Sequence, residues 1–410
     1  MLNINIKNGK RINLSIDFIE WFRGFTDAEG CFQVTMQSLG NGKYFEFRYS
    51  IGLHIDDKAA LYYIQDNLQI GKVRENVQEN IVTYNIIAKE EIEIIIQLFS
   101  LFNLNSSRHL NFLSFKEAFL LYINWNNLDY SELTIKLMKI QARMNSNRID
   151  FTMPENHKIY ISPFWLLGFI EGDGCFSFKK PNKNAVFTIG QKGNKNLLLA
   201  IKDYLQKIAI NDFNLFENKL ALKKNWININ IYKDVYNLNT NNVFYIQYVL
   251  IPLLDNLKWH TKKYLDYSDW KYIIAILSKG LHYLPEGIQL IMEIVNQMNN
   301  YRLSTSEPKV KNILCKSKVE EFLNQPSNYE IRKNRLFIIS LNRYKVNNVS
   351  ISLQLINIET KEILKSFSSL LKCANYLGIT RSTLKNRIIK SKSFLLNGKK
   401  VLVSLNNSNI

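Results

Sequence analysis

The sequence is poor in cysteine, histidine and proline. Four cysteines in 410 residues, with no CxxC pair, exclude a disulfide scaffold and a cysteine-ligated zinc module. Reduced thiols are the simpler reading. The histidines (His54, His109, His157, His260 and His282) form no HxH or HExxH cluster, so a zinc site has no support. No uninterrupted apolar run approaches the ~18 residues of a membrane span, and no membrane partner is expected. The opening residues, MLNINIKNGKRINL, contain no apolar stretch that would serve as a secretory signal. Acid is also scarce: 35 Asp+Glu stand against 53 Lys+Arg, a formal charge of +18. Core material is present. Hydrophobic residues make up 46% of the chain, which excludes wholesale disorder, and the length allows two or three domains.

The charge is uneven. Residues 1–300 hold 33 basic and 29 acidic side chains; residues 301–410 hold 20 and 6. A compact basic C-terminal segment points to a polyanion partner, with nucleic acid first. The abundance of Asn, Ile and Lys fits A/T-rich codons and suits an organellar gene, so a mitochondrial location is expected.

A duplication organises the first 300 residues. FRGFTDAEGCF (22–32) and LLGFIEGDGCF (166–176) share Gly24/Gly168, Phe25/Phe169, Gly30/Gly174, Cys31/Cys175 and Phe32/Phe176. YSIGLHIDD (49–57) answers FTIGQKGNK (187–195), and SRHLNFLSFK (107–116) answers KKYLDYSDWK (262–271). Helices are expected over 17–28 and 163–172, stopped by Gly30 and Gly174. Phe32, Val34 and Met36 alternate with Gln33, Thr35 and Gln37, a half-buried strand. Residues 39–42 supply a turn, and 44–51 alternate again. The second half repeats the device, and helices follow at 58–68 and 195–207. Each half reads helix–strand–strand–helix–strands–helix, an α+β fold.

Each motif ends in a carboxylate at a helix C-terminus, Glu29 and Asp173. Such a group faces the negative end of the helix macrodipole. Gly24 and Gly168, mid-helix where glycine is unfavourable, would let the two helices pack backbone to backbone and bring both acids together. That pairing calls for a cation, and hard oxygen donors favour Mg²⁺. Metal-assisted phosphodiester hydrolysis needs this donor set. Cys31 and Cys175 read as small buried hydrophobes repeated by duplication.

The paired motifs resemble those of single-chain LAGLIDADG homing endonucleases over roughly residues 14–303. The resemblance implies two αββαββα halves, 1–150 and 151–303, related by a pseudo-twofold axis and forming a saddle over duplex DNA. It implies a monomer that cuts both strands of a long asymmetric site, leaving short 3′ overhangs, and an intron-borne gene. Glu29 and Asp173 become the metal-ligating acids, with Mg²⁺ replaceable by Mn²⁺. The basic residue near the active site falls at Lys263 and, in the first half, at Arg108, whose guanidinium does not readily lose a proton. The water-orienting position falls at Gln191 and, in the first half, at Leu53, which cannot do that work. Unequal sites are therefore expected. Outward strand positions Gln33, Thr35, Gln37, Arg48, Ser177, Lys179, Thr188 and Lys192 become candidate DNA contacts. The alternative within this family is a group I intron maturase that binds RNA. A catalytically dead DNA-binding repressor is the third reading.

Residues 304–335 read as a linker with a short helix near 318–323. In 336–410, residues 349–356 alternate like a strand. Residues 368–377 read as a helix, Gly378 as a break, and 380–390 as a basic second helix capped by Thr380. Helix, glycine turn and basic helix make a helix-turn-helix pattern. Ala374, Leu377, Ile379, Leu384 and Ile388 would form its core, with Arg381, Lys385 and Arg387 facing nucleic acid. This segment resembles the nuclease-associated modular DNA-binding units appended to homing endonucleases.

Overall fold

The computed structural model describes residues 2–5, 11–39, 42–126, 130–211, 226–233, 235–299, 314–333, 335–345, 353–367, 369–389 and 392–405. They divide into two compact units, Met1–Asn328 and Tyr329–Ile410.

In the first unit, a short hairpin (β1, Leu2–Asn5; β2, Arg11–Leu14) precedes α1 (Ile16–Glu29). Then come β3 (Gly30–Leu39), β4 (Gly42–His54), α2 (Lys58–Leu68), β5 (Lys72–Asn76), β6 (Ile81–Ile86), α3 (Lys89–Leu101), α4 (Arg108–Ile123) and α5 (Tyr130–Gln141). The order then repeats: α6 (Pro163–Asp173), β7 (Gly174–Lys179), β8 (Asn184–Lys192), α7 (Lys195–Asn211), β9 (Asn228–Tyr232) and β10 (Val235–Thr240). A helical run follows, α8 (Val243–Tyr245), a π turn and α9 (Ile251–Asp255). It leads to α10 (Lys263–Ser278) and α11 (Pro285–Val295). Both four-stranded sheets are antiparallel with the same strand order, β3-β4-β6-β5 and β7-β8-β10-β9. Of the expected turn at 39–42, residues 40 and 41 lie outside the described residues.

α1 and α6 start alike. Ser15 and Ser162 accept N–H bonds from Phe18 and Trp165, and Pro163 occupies the first turn of α6. Every residue of 18–28 and of 165–171 is buried, as expected of central helices that meet protein on all sides. A Cβ on Gly24 would lie 2.0 Å from the Trp165 carbonyl oxygen, and one on Gly168 would lie 2.1 Å from that of Trp21. The two helices touch through backbone, reciprocally. Gly30 and Gly174 do end the helices, but not through a left-handed turn. Their φ angles are −66° and −75°. Glycine is needed because a Cβ would meet the Thr26 side chain at 2.5 Å or the Ile170 side chain at 2.7 Å.

Each acid is followed at once by a strand. Phe32 and Val34, like Phe176, point into the core. Alternation therefore turns Cys31 and Cys175 outward. Cys31 is half-buried and Cys175 exposed, so the reading of both as buried hydrophobes is corrected.

The boundary between units falls between Asn328 and Tyr329, not at 303 or 335. α12 (Lys316–Leu323), expected within a linker, belongs to the first unit. Val319 is buried in the main core, Lys318 bridges Glu293 at 2.7 Å, and Tyr272 donates to Glu320 at 2.9 Å. Most of the expected linker before it, 304–313, lies outside the described residues.

The second unit holds a three-stranded sheet, β11 (Tyr329–Arg332), β12 (Arg335–Ile338) and β13 (Arg343–Tyr344). A four-stranded sheet of order β15-β14-β17-β16 follows, from β14 (Leu353–Asn357), β15 (Ile363–Phe367), β16 (Phe394–Leu396) and β17 (Lys399–Leu405). Between β15 and β16 lie α13 (Leu370–Tyr376) and α14 (Arg381–Ile389), joined through Gly378 at φ +63°. Thr380 accepts the Thr383 N–H as a cap. The helix pair does not own its core. Ala374, Cys373 and Leu384 pack with Leu353, Leu355, Phe367, Val401 and Val403 of the sheet. Of the expected strand at 349–356, residues 349–352 lie outside the described residues, as do 368 and 390 at the ends of the expected helices.

Candidate active site

The backbone contact between α1 and α6 brings their C-terminal carboxylates to one place. Gly172 lies so close to α1 that a Cβ there would be 2.3 Å from Ala28 Cβ and 3.2 Å from Glu29 Oε1. Glu29 and Asp173 are half-buried. Burial, and then the charge of Glu29, push the Asp173 carboxyl up to about 6, against the pull of Arg108, a Gln191 hydrogen bond and Lys263. Glu29 is also raised by burial, with Arg108 and Lys263 pulling the other way. The two acids feel each other.

Their surroundings are built twice. The residue preceding each acid by two is buried and holds the chain that leads into the next long helix. Asp27 accepts the N–H groups of Asn105 and Ser106 (2.8 and 2.7 Å), and Glu171 those of His260 and Thr261 (2.6 and 2.7 Å). Each also accepts an indole N–H from the opposite motif helix, Trp165 on Asp27 and Trp21 on Glu171. These ties set the first residues of α4 and α10, Arg108 and Lys263, against the helix ends. Arg108 donates from Nε to the Asp27 carbonyl at 3.0 Å, and from its terminal nitrogens to the Ala28 and Gly30 carbonyls. Lys263 Nζ donates to the carbonyls of Gly172 and Gly174 at 2.9 and 2.7 Å. The negative helix ends are thus met by resident cations, not left for a metal alone.

The halves diverge at the next position. Gln191 donates to Asp173 Oδ2 at 2.6 Å, and its own Oε1 accepts from Asn194 at 2.9 Å. In the first half Leu53 packs against the core and makes no such link. Asn194 also accepts the Ser107 N–H at 2.8 Å, across the halves; Asp57 does the same for the Lys262 N–H at 2.6 Å. Asp57 and Asn194 are therefore structural counterparts, one charged and one neutral. Neither stands out in the sequence. The aligned blocks pair Asp56 with Asn194 and Asp57 with Lys195, so the match shows only in the reach of Asp57 and Asn194 across the halves.

Carboxylate oxygens at a shared helix interface are suitable donors for a hard divalent cation. No group of three His, Cys, Asp or Glu able to hold a metal occurs among the described residues, so protein donors alone would not complete such a shell.

The outward strand residues lie where alternation placed them. Gln33, Thr35 and Gln37 on β3 pair with Arg48, Glu46 and Tyr44 on β4. Arg48 is bound to Glu46 at 2.6 Å. Ser177 and Lys179 lie on β7, and Thr188 and Lys192 on β8. Register adds residues that sequence reasoning missed: Asn85 and Lys72 in the row of Ser50, and Asn239 and Asn228 in the row of Thr188. Asn237 and Asn230 lie beside Gly190 in the next row. The Asn-x-Asn spacing at 228/230 and 237/239 is the signal that could have found them. In the second unit Arg381 and Lys385 are exposed on α14, while Arg387 lies over the Phe394 ring at 4.4 Å.

A sequence profile of the LAGLIDADG endonuclease matches residues 22–119 and 166–274, one block per half. The chain is 29% identical to "Uncharacterized mitochondrial protein RF1" of Saccharomyces cerevisiae, over 95% of this chain and 82% of that protein. It is 30% identical to "Probable intron-encoded endonuclease Cox1-I1b" of Schizosaccharomyces pombe, over 55% of this chain and 56% of that protein. Among solved structures the fold is similar to LAGLIDADG homing endonuclease I-GzeII in complex with DNA target (TM-score 0.58, 23% identity, 71% of this chain and 99% of that one). It is also similar to meganuclease I-SmaMI bound to uncleaveable DNA (TM-score 0.59, 23% identity, 71% and 99%).

Proposed function

The chain belongs to the LAGLIDADG endonuclease family, and from that premise we propose that it is a site-specific double-strand DNA homing endonuclease. The observation that carries this reading is the pair of mutually repelling carboxylates, Glu29 and Asp173, at one helix interface with a basic residue packed beside each. In this proposal the halves are related by a pseudo-twofold axis between α1 and α6; the reciprocal glycine and tryptophan contacts support it. The two sheets hold a long asymmetric duplex through Gln33, Thr35, Gln37, Arg48, Ser177, Lys179, Thr188 and Lys192, whose side-chain types suit base edges and phosphates.

Glu29 and Asp173 would hold Mg²⁺, or Mn²⁺ in its place, which when bound neutralises phosphate charge and makes water more acidic. Gln191 orients the attacking water beside Asp173. Lys263 and Arg108 keep the negative helix ends from opposing the incoming phosphate and stabilise developing charge. Both strands are cut, with short 3′ overhangs. The exposed basic face of α14, with Arg381 and Lys385, serves as a helix-turn-helix contact to flanking DNA, with Arg387 at its edge. The relatives' names favour an intron-borne gene and a mitochondrial location. The protein acts as a monomer on DNA. Nothing in the site favours the alternative of an RNA maturase.

Selection of cleavable sites from a random DNA library supplies the substrate. With Mg²⁺ the parent chain should cut it, and Asp173→Asn should lower the rate at least about 1000-fold while keeping most DNA affinity, because a metal ligand stabilises the transition state by several kcal/mol. Unchanged cutting by Asp173→Asn overturns the assignment.

A further inference from the structure

The first half has leucine where the second has Gln191, and a carboxylate, Asp57, where the second has the Asn194 amide. Glu29, Leu53, Gly172, Asp57, Lys262 and Lys263 line one open cavity of about 430 Å³. Asp57 is the counterpart of Asn194, since each accepts the N–H at the start of the other half's long helix. In the second half Asn194 spends its remaining amide on Gln191 and on the Ser107 hydroxyl. In the first half position 53 is leucine, so Asp57 has no such partner to hold. One of its oxygens accepts the Lys262 N–H; the other makes no hydrogen bond among the described residues. That carboxylate is half-buried in the cavity that Glu29 also lines. Lys262, Asp56 and Lys263 act on this carboxylate through their charges, and among the described residues it belongs to no group of three side chains able to hold a metal.

We propose that Asp57 is the catalytic residue that holds and deprotonates the attacking water at the first-half site, in place of the Gln191–Asn194 pair of the second. The assignment rests on the endonuclease reading above. In the step, a proton of the water passes to the free Asp57 oxygen as the water oxygen bonds phosphorus. The bond from phosphorus to the leaving sugar oxygen breaks, and its electron pair departs on that oxygen, which takes a proton from solvent. Leu53 then has a role as well. It lines the same cavity with an apolar side chain that offers a water no hydrogen bond.

The fold itself supplies the test variant, because asparagine already makes this helix cap at position 194. Asp57→Asn keeps the cap and loses the base. On a cleavable duplex with each strand labelled separately, Asp57→Asn should slow one strand roughly 100-fold. DNA affinity and melting temperature should not fall below the parent values, since a neutral amide replaces a carboxylate in a confined cavity. Gln191→Leu should slow the opposite strand. Leu53→Gln with Asp57→Asn, which copies the second half into the first, should restore the slowed strand to within about tenfold of the parent. Unaltered rates for both strands in Asp57→Asn overturn the assignment, as do equal losses on both strands or a loss on the same strand as Gln191→Leu. A parent chain that binds DNA and cuts neither strand sinks the endonuclease reading and this one with it. A parent that cuts while Asp57→Asn changes nothing sinks this one alone.

Discussion

The two halves of the first unit agree along the helix interface and differ in the side chains set around the two helix ends. Asp27 and Glu171, Trp165 and Trp21, and Gly24 and Gly168 all make matching contacts across the helix interface. Leu53 and Gln191, Asp57 and Asn194, and Arg108 and Lys263 do not match in chemistry. Packing at a backbone-to-backbone interface tolerates almost no change in volume, so duplicated copies stay alike there. A position open to water and substrate carries no such constraint. The comparison separates a scaffold held in duplicate from chemistry that each half arranges in its own way.

The sharpest way to break the scaffold side of this comparison is at the glycines. Gly24→Ala and Gly168→Ala each push a methyl group onto a main-chain oxygen about 2 Å away, and main chain in the middle of a buried helix cannot swing aside. Each should cost about 3 kcal/mol or more of folding stability, at the upper end for overpacked cores. The two losses should agree closely, by denaturant titration. A large loss at one position and a small one at the other would mean that the interface is not reciprocal.

Much of this is legible in the sequence. The motif pair and the strand alternation after it bring out Glu29 and Asp173 from residue order, and the family resemblance, laid on the aligned blocks at 107–116, 187–195 and 262–271, brings out Arg108, Lys263 and Gln191. Glu29, Arg108 and Lys263 share one cluster with Asp173 and Gln191. What stays hidden depends on register and on long-range contact. Asp57 and Asn194 sit at loop-to-helix joins, and only the folded crossover shows that each caps a helix of the other half. Gly30 reads as a helix stop, which it is; that its constraint is the Thr26 side chain shows only in the fold. In the second unit the hairpin β16–β17 escapes the sequence reading although Asn397-Gly398, at φ 49° and 76°, is a strong tight-turn signal. The basic helices beside it draw attention from a short, half-exposed strand.

A medium-sized effect tests the electrostatic side. Asp173 titrates near 6 in the folded chain against an ordinary value of 3.8. Above pH 6 folding must therefore bury it in its ionised form beside Glu29, which costs stability. Below about 3.8 it is protonated in both states and the cost vanishes. Without divalent cation, Asp173→Asn should melt a few degrees above the parent at pH 8. That gap should close as pH falls through 6. A gap that stays constant from pH 8 to pH 4 would show that burial and Glu29 do not raise the Asp173 carboxyl.

The smallest expected effect separates the two basic residues. All three guanidinium nitrogens of Arg108 are engaged on carbonyls around Glu29, whereas Lys263 serves two carbonyls around Asp173 with one nitrogen. Arg108→Lys keeps the positive charge and, by the precedent of Lys263, can still reach two carbonyls. It should cost about 1 kcal/mol for the third carbonyl left without its hydrogen bond and change either strand's cutting rate by less than about threefold, since the charge that faces the phosphate is retained. Lys263→Arg should be the costlier exchange, because a planar fork must enter a space shaped for a single ammonium. Equal costs would mean that the two pockets have the same shape. A strand-specific fall of tenfold or more in Arg108→Lys, with stability unchanged, would show that the developing charge needs the guanidinium fork and not a positive charge alone.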